Sequence, residues 1–98
     1  MKKVFIFLLF NIMLTSCGEQ PQADFTWTPI NPKSGEKVQF TNTSTNGKKY
    51  DWNLGNIKVS KEMNPTNIYE NPGDYIIDLS VRNGAKSDVK TINLTVSP

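Results

Sequence analysis

Residues 72–82 read Pro72-Gly73-Asp74-Tyr75-Ile76-Ile77-Asp78-Leu79-Ser80-Val81-Arg82, and their two-residue alternation decides the fold. Tyr75, Ile77, Leu79 and Val81 fall on one side of an extended chain, with Asp78, Ser80 and Arg82 on the other. A strand of this kind buries its apolar side and leaves the other to water. It cannot stand alone and needs partner strands from the flanking sequence.

C-terminal to it, Ile92, Leu94 and Val96 share one parity while Val89 has the other. Burying all four requires a β-bulge near Lys90 and Thr91; with Val89 exposed the strand is regular. N-terminal to it, Val38 and Phe40 form an inward pair, Phe25 anchors a first strand, and Tyr50 and Trp52 share parity on another. Strands are predicted at 23–28, 36–42, 48–54, 57–60, 65–70, 74–82 and 87–96. Segments rich in Gly, Pro, Asn and Ser separate them. Pro65 and Pro72 bracket a strand that must lie at an edge or end, because proline cannot donate to a ladder. The expected core is Phe25, Val38, Phe40, Trp52, Tyr69, Tyr75, Ile77, Leu79, Val81, Ile92 and Leu94. Short alternating runs joined by turns predict an all-β, two-sheet antiparallel sandwich of about seven strands, formed by residues 23–98.

The N-terminus obeys different rules. Lys2 and Lys3 precede an apolar stretch, Val4 to Leu14, shorter than the roughly 20 residues of a spanning helix. Leu14-Thr15-Ser16-Cys17 closes it with the chain's single cysteine. These four residues resemble the lipobox of bacterial lipoproteins. The resemblance implies removal of residues 1–16 as a signal peptide and acylation of Cys17, with the lipid bilayer as a partner. Gly18, in place of an aspartate, implies outer-membrane residence in the cell envelope. Residues 17–22 lack an apolar period and are expected to be a flexible tether.

Composition narrows the chemistry. The chain has 11 Lys+Arg against 9 Asp+Glu, and loss of Lys2 and Lys3 leaves the remainder formally neutral. Lys48-Lys49 is the one basic pair left, too little for a nucleic-acid footprint. With no histidine and one cysteine, Ser-His-Asp and Cys-His nucleophiles and imidazole metal sites are excluded. Carboxylate chemistry or calcium binding remains. Asp74 and Asp78 share an outer strand face, but four residues of extended chain separate them too far for a tight acid–base pair. Asp51, Glu62 and Glu70 could meet only through loops. No enzymatic activity and no cofactor are expected.

Five segments in order, Ala23-Asp24-Phe25, Val38-Gln39-Phe40-Thr41-Asn42, Tyr50 to Asn56, Asn64-Pro65-Thr66-Asn67-Ile68-Tyr69 and Pro72-Gly73-Asp74-Tyr75, resemble the PKD domain, an immunoglobulin-like sandwich. The chain departs from the family in carrying Asn53 and Asn56 where aspartates are usual, keeping acceptor oxygens but losing the charge. The resemblance implies a non-catalytic binding module for an extracellular polysaccharide or an envelope protein; the alternative is a structural spacer or small subunit of an envelope complex. Trp27 and Tyr50 are the candidate ligand contacts. Trp27 shares parity with Phe25, so it either caps the open end of the sandwich or presents its ring to a ligand. Tyr50, sharing parity with Trp52, is expected to be half-buried.

Overall fold

The computed structural model describes residues 19–98; residues 1–16, expected to be a signal peptide, and Cys17 lie outside them. Seven strands form β1 (Phe25–Thr28), β2 (Lys37–Asn42), β3 (Lys49–Asn53), β4 (Val59–Ser60), β5 (Thr66–Ile68), β6 (Gly73–Asn83) and β7 (Lys86–Val96). They make two antiparallel sheets, ordered β1-β2-β5 and β4-β3-β6-β7. β5, the strand between the two prolines, does lie at an edge.

The alternation in β6 becomes burial: Ile77, Leu79 and Val81 are inaccessible, while Ile76 is half exposed. Facing them are Phe25, Val38, Phe40 and Tyr69, with Trp52, Leu94, Leu54 and Val96 completing the buried cluster. Trp52 is the centre of that cluster. Its ring lies 4.9 Å from Phe25 and 5.5 Å from Phe40, centroid to centroid, so a residue of one sheet packs on two of the other. Its indole N–H donates to the Glu62 carbonyl at 2.9 Å, tying down the β4–β5 connection. A buried ring with its polar atom partnered gains the full benefit of burial. Tyr69 is similar: its hydroxyl donates to the Leu54 carbonyl at 2.7 Å, and its ring sits 4.6 Å from Tyr75. Tyr75 and Ile92, expected inside, are only half-buried at the margin of this cluster.

β7 is regular. Val89 pairs with Ser80, Lys90 with Leu79 and Thr91 with Asp78, without a bulge, and Val89 is 55% exposed. The strand thus keeps its ladder and leaves Val89 outside. Its inner face turns polar instead, at Asp88 and Lys90. The Asp88 carboxylate accepts the Ala23 N–H at 2.8 Å, and the Lys90 ammonium stands 3.9 Å from Asp24.

Two other expectations are corrected. The predicted strand 57–60 shrinks to Val59–Ser60, because Ile57 takes φ 74° and the turn closes with Leu54 N–H bonded to the Lys58 carbonyl. The tether is docked from Glu19 onward. Gln22 and Thr45 exchange both backbone bonds at 3.0 Å, Pro21 is fully buried, and the Gln20 amide donates to the Ser87 carbonyl at 3.0 Å. A polar composition suggested solvation, but these backbone and amide groups found partners on the sandwich.

Trp52→Ala should cost about 3–5 kcal/mol, most of what a domain this small possesses. Val89→Ala should change stability by less than about 0.5 kcal/mol; urea denaturation of both variants checks the pair. Burial raises the Tyr69 hydroxyl pKa above its ordinary value. Its stabilising contribution is therefore complete below about pH 10 and lost as pH rises through the folded value. Tyr69→Phe should flatten that alkaline limb in urea melts at stepped pH, at a cost of about 1–2 kcal/mol near neutrality.

Candidate functional site

The outer face of the four-stranded sheet is set by register. Val59 stands opposite Asn53, Asn53 opposite Asp78, and Asp78 opposite Thr91, while Asp51 stands opposite Ser80. Because β4 has only two residues, it covers Trp52 and Asn53 and leaves the edge of β3 open at Lys49–Asp51. Two open hollows result. One, of about 520 Å³, is lined by Asn53, Val59, Asp78 and Ser80; the other, of about 410 Å³, by Lys48, Lys49 and Tyr50. Asp51 and Lys61 belong to both. The Lys61 ammonium donates to the Asp51 carboxylate at 2.5 Å, so this ion pair is the ridge between them.

The Lys61 hydrogen bond is the main reason the Asp51 carboxyl sits below the usual carboxylate range. Both partners are well exposed, at 84% and 42% of their side-chain surface, so the pair is screened and contributes little to stability. Asp74 and Asp78 are each engaged across β7, accepting hydroxyl protons from Thr95 at 2.7 Å and Thr91 at 2.6 Å. They do not face each other as an acid–base pair. Among the described residues, no three acidic, histidine or cysteine side chains gather to hold a metal ion.

Tyr50 is half-buried and its hydroxyl donates to the Gly47 carbonyl at 3.2 Å. Trp27 is half-buried too. Its ring lies 6.0 Å from Phe25 and its indole N–H donates to the Ile30 carbonyl at 3.2 Å, so it packs on the margin of the core at the far end of the sandwich from Glu19. The two candidate contacts are not brought together. All seven aromatic rings of the described residues are buried or half-buried. The large apolar side chains left outside are aliphatic, and Ile57, Val59 and Met63 cluster in sequence around β4. Sequence reading missed the hollows because they arise from the shortness of β4, which depends on the backbone of one turn.

That turn is built on asparagines. Asn53 Oδ1 accepts the Gly55 N–H at 3.1 Å; Asn56 Nδ2 donates to the Ile68 carbonyl at 3.3 Å, and Asn56 Oδ1 accepts from Asn67 Nδ2 at 2.9 Å. Asn56 thus bridges to the opposite sheet as both donor and acceptor, a role a carboxylate cannot fill. Gly55 has φ 85°, and a Cβ there would lie 2.7 Å from the Ile76 carbonyl oxygen, so no other residue fits.

The PKD domain family matches residues 18–97. The chain belongs to the PKD domain family. A structure of carbohydrate-binding modules from the β-sandwich superfamily, described for promiscuous specificity, superposes with a TM-score of 0.75 at 30% identity. The match covers 82% of this chain and 35% of that one. The PKD1 domain of the Vibrio cholerae metalloprotease PrtV superposes with a TM-score of 0.68 at 29% identity, over 82% of this chain and all of that domain. A collagenase of Bacillus cereus, ColA, is 37% identical over 67 residues, which is 60% of this chain and 7% of the collagenase. The chain therefore corresponds to a small module of these larger proteins.

Asn56→Asp should destabilise the PKD domain by about 1–2 kcal/mol, since the Ile68 carbonyl loses its donor; chemical denaturation checks this. Lys61→Ala should return the Asp51 carboxyl towards its ordinary value in an NMR titration. Because the native pKa is depressed, the pair's small stabilisation exists above about pH 4 and fades as pH falls through the native value. Thermal stability at neutral pH should barely move.

Proposed function

We propose that this protein is an acylated envelope lipoprotein whose PKD domain is a non-catalytic module that binds protein at the β4 side of its four-stranded sheet. The carrying observation is the distribution of exposed side chains. Sugar recognition on a flat face draws on exposed rings, whereas here the rings pack inward and aliphatic Val59 stands beside the Asp51–Lys61 pair, Asn53 and Ser80. Apolar contact flanked by hydrogen-bonding groups suits a polypeptide. The likeness to carbohydrate-binding modules favours a polysaccharide as the second reading, with Trp27 as its contact.

Anchoring rests on Leu14-Thr15-Ser16-Cys17 and is supported by the docking of the segment C-terminal to it. Glu19 and Gln20 are held by Asn83 and Asn46, whose side-chain amides donate to their carbonyls at 3.2 and 3.4 Å. Only Gly18 separates Cys17 from this docked segment, so acylation would hold the domain within about 10 Å of the lipid at full extension. The end carrying Lys48, Lys49 and Arg82 would face the bilayer, and Trp27 and Ile30 would point away from it. Outer-membrane residence is the assignment that Gly18 favours.

Two measurements test this reading. Intact mass of the membrane-extracted protein should show loss of residues 1–16 and acyl mass on Cys17; an unmodified soluble form overturns the anchor. Photocrosslinkers placed at Lys58 and at Ile30 in intact cells should capture a discrete protein from Lys58, with capture lost in Val59→Asp. Polysaccharide captured from Ile30 and lost in Trp27→Ala would replace the protein reading with the glycan one.

A further inference from the structure

One end of the sandwich carries cations that the fold leaves without counter-ions. Register sets Lys49 of β3 directly opposite Arg82 of β6, and the Lys48 N–H donates to the Arg82 carbonyl at 2.8 Å. Like charges directly opposite on neighbouring strands repel. Among the described residues no carboxylate stands within ion-pair distance of Lys48, Lys49 or Arg82. Asp51, the next outward residue of β3, is engaged by Lys61. Lys48, Lys49, Arg82 and Gly84 line a hollow of about 230 Å³.

Charge is unevenly spread along the molecule. Lys48, Lys49, Arg82 and Lys86 gather at the end that carries the β6–β7 hairpin, against Glu19 and Asp88, and the Asp88 carboxylate is engaged by the Ala23 N–H. The opposite end has Lys33 and Lys37 against Glu36, Glu70 and Asp74. Asp74 and Arg82, near the two ends of β6, are about 27 Å apart at ~3.4 Å per residue. The N-terminal segment leads to the cationic end. Gln20 donates to the carbonyl of Ser87, which stands opposite Arg82, and Asn83 donates to the Glu19 carbonyl. The chain from Glu19 back to Cys17 therefore departs beside the cations, with Gly18 alone between.

We propose that this end is a docking surface for the anionic phospholipids of the membrane that carries the anchor, with Lys48, Lys49 and Arg82 set against lipid phosphates so that the domain stands end-on to the bilayer. The inference rests on the acylation of Cys17 proposed above. Acyl chains on Cys17 bring a lipid surface within reach of these side chains, which selects a bilayer as the occupant. A headgroup layer supplies phosphates side by side, one for each of three cations that otherwise repel. Each cation at an anionic surface favours the docked state about fivefold. Acyl chains attach the protein without fixing its orientation; the cationic contacts supply the orientation. They act only close to the surface, since salt screens them beyond about 10 Å.

Membrane-extracted lipoprotein reconstituted into vesicles tests this. Ala85→Cys puts a free thiol at the exposed hairpin tip, the Cys17 thiol being consumed by acylation, and an environment-sensitive fluorophore attached there reports headgroup contact. In vesicles of phosphatidylcholine with phosphatidylglycerol its emission should shift to the blue and be quenched by headgroup nitroxides. In phosphatidylcholine alone, or at high salt, both effects should be lost. The same fluorophore at Ile30→Cys, exposed at the far end, should report water throughout. Lys49→Gln combined with Arg82→Gln should lower the ratio of docked to undocked domain roughly 30-fold in the phosphatidylglycerol vesicles. Because the two charges repel, that double variant should lose no stability in urea, which separates loss of docking from loss of fold. Intact mass keeps anchor and docking apart. An unacylated Cys17 overturns the anchor and this inference with it; an acylated protein whose tip fluorophore behaves alike in both kinds of vesicle, or a double variant that docks as the wild type does, overturns the docking alone.

Discussion

The packing of Trp52 against Phe25 and Phe40 is the contact on which the rest of the structure depends. With a single cysteine the chain can form no internal disulfide, and a domain this small has little core to spare. One ring that touches both sheets and also bonds the Glu62 carbonyl therefore fixes three things together: the spacing of the sheets, the position of β3, and the path of the chain from β4 to β5. The position of β3 then decides where Asp51 and Asn53 point, since neighbours of an inward tryptophan in a strand must point outward. The polar face beside β4 is thus a consequence of the core.

The same economy governs the β3–β4 turn. Gly55 accepts a left-handed backbone against the Ile76 carbonyl, Asn53 closes the turn locally, and Asn56 reaches across to β5. Ile57 comes next at φ 74° and is 99% exposed. A β-branched residue in that region is strained and would not be expected at a turn tip free of other demands. Three asparagine bonds surround it, and β4 beyond it has only two residues, which leaves the edge of β3 exposed. A local backbone cost thereby becomes an accessible hollow lined by Lys48, Lys49 and Tyr50.

How much of this was legible in the sequence depends on the range of the forces involved. The alternation of Tyr75, Ile77, Leu79 and Val81 reports a sheet with one dry side, and the two prolines around β5 report an edge, because both are properties of a single strand. The length of β4 was not legible, since it turns on the dihedral angle of Ile57 and a bond between Asn56 and another sheet. Nor was the docking of Glu19 to Gln22: the segment is polar, and its partners Thr45, Asn46, Asn83 and Ser87 come from loops and strand ends that only tertiary structure brings together. For the same reason Tyr75 and Ile92 carry an inward parity but reach only the margin of the core. Parity gives the face; the extent of the opposing three-stranded sheet decides how much of that face is covered.

That mismatch in extent also explains the character of β7. The sheet it belongs to is built on two strands of 11 residues, whereas β1 and β5 opposite have four and three. A long strand facing a short sheet cannot be apolar along its whole inner side, so Leu94 and Val96 are buried while Asp88 and Lys90 are left to the Ala23–Asp24 segment. The chain spends its N-terminal residues on one end of this strand and Pro32 to Ser34 on the other. Among the described residues no further segment covers the middle, so the most regular strand of the molecule retains an open row of hydrogen-bonding groups. Regularity and openness have one cause: the absence of a bulge keeps Val89 outside and the ladder intact, and leaves an edge with the straightness that a further strand would need.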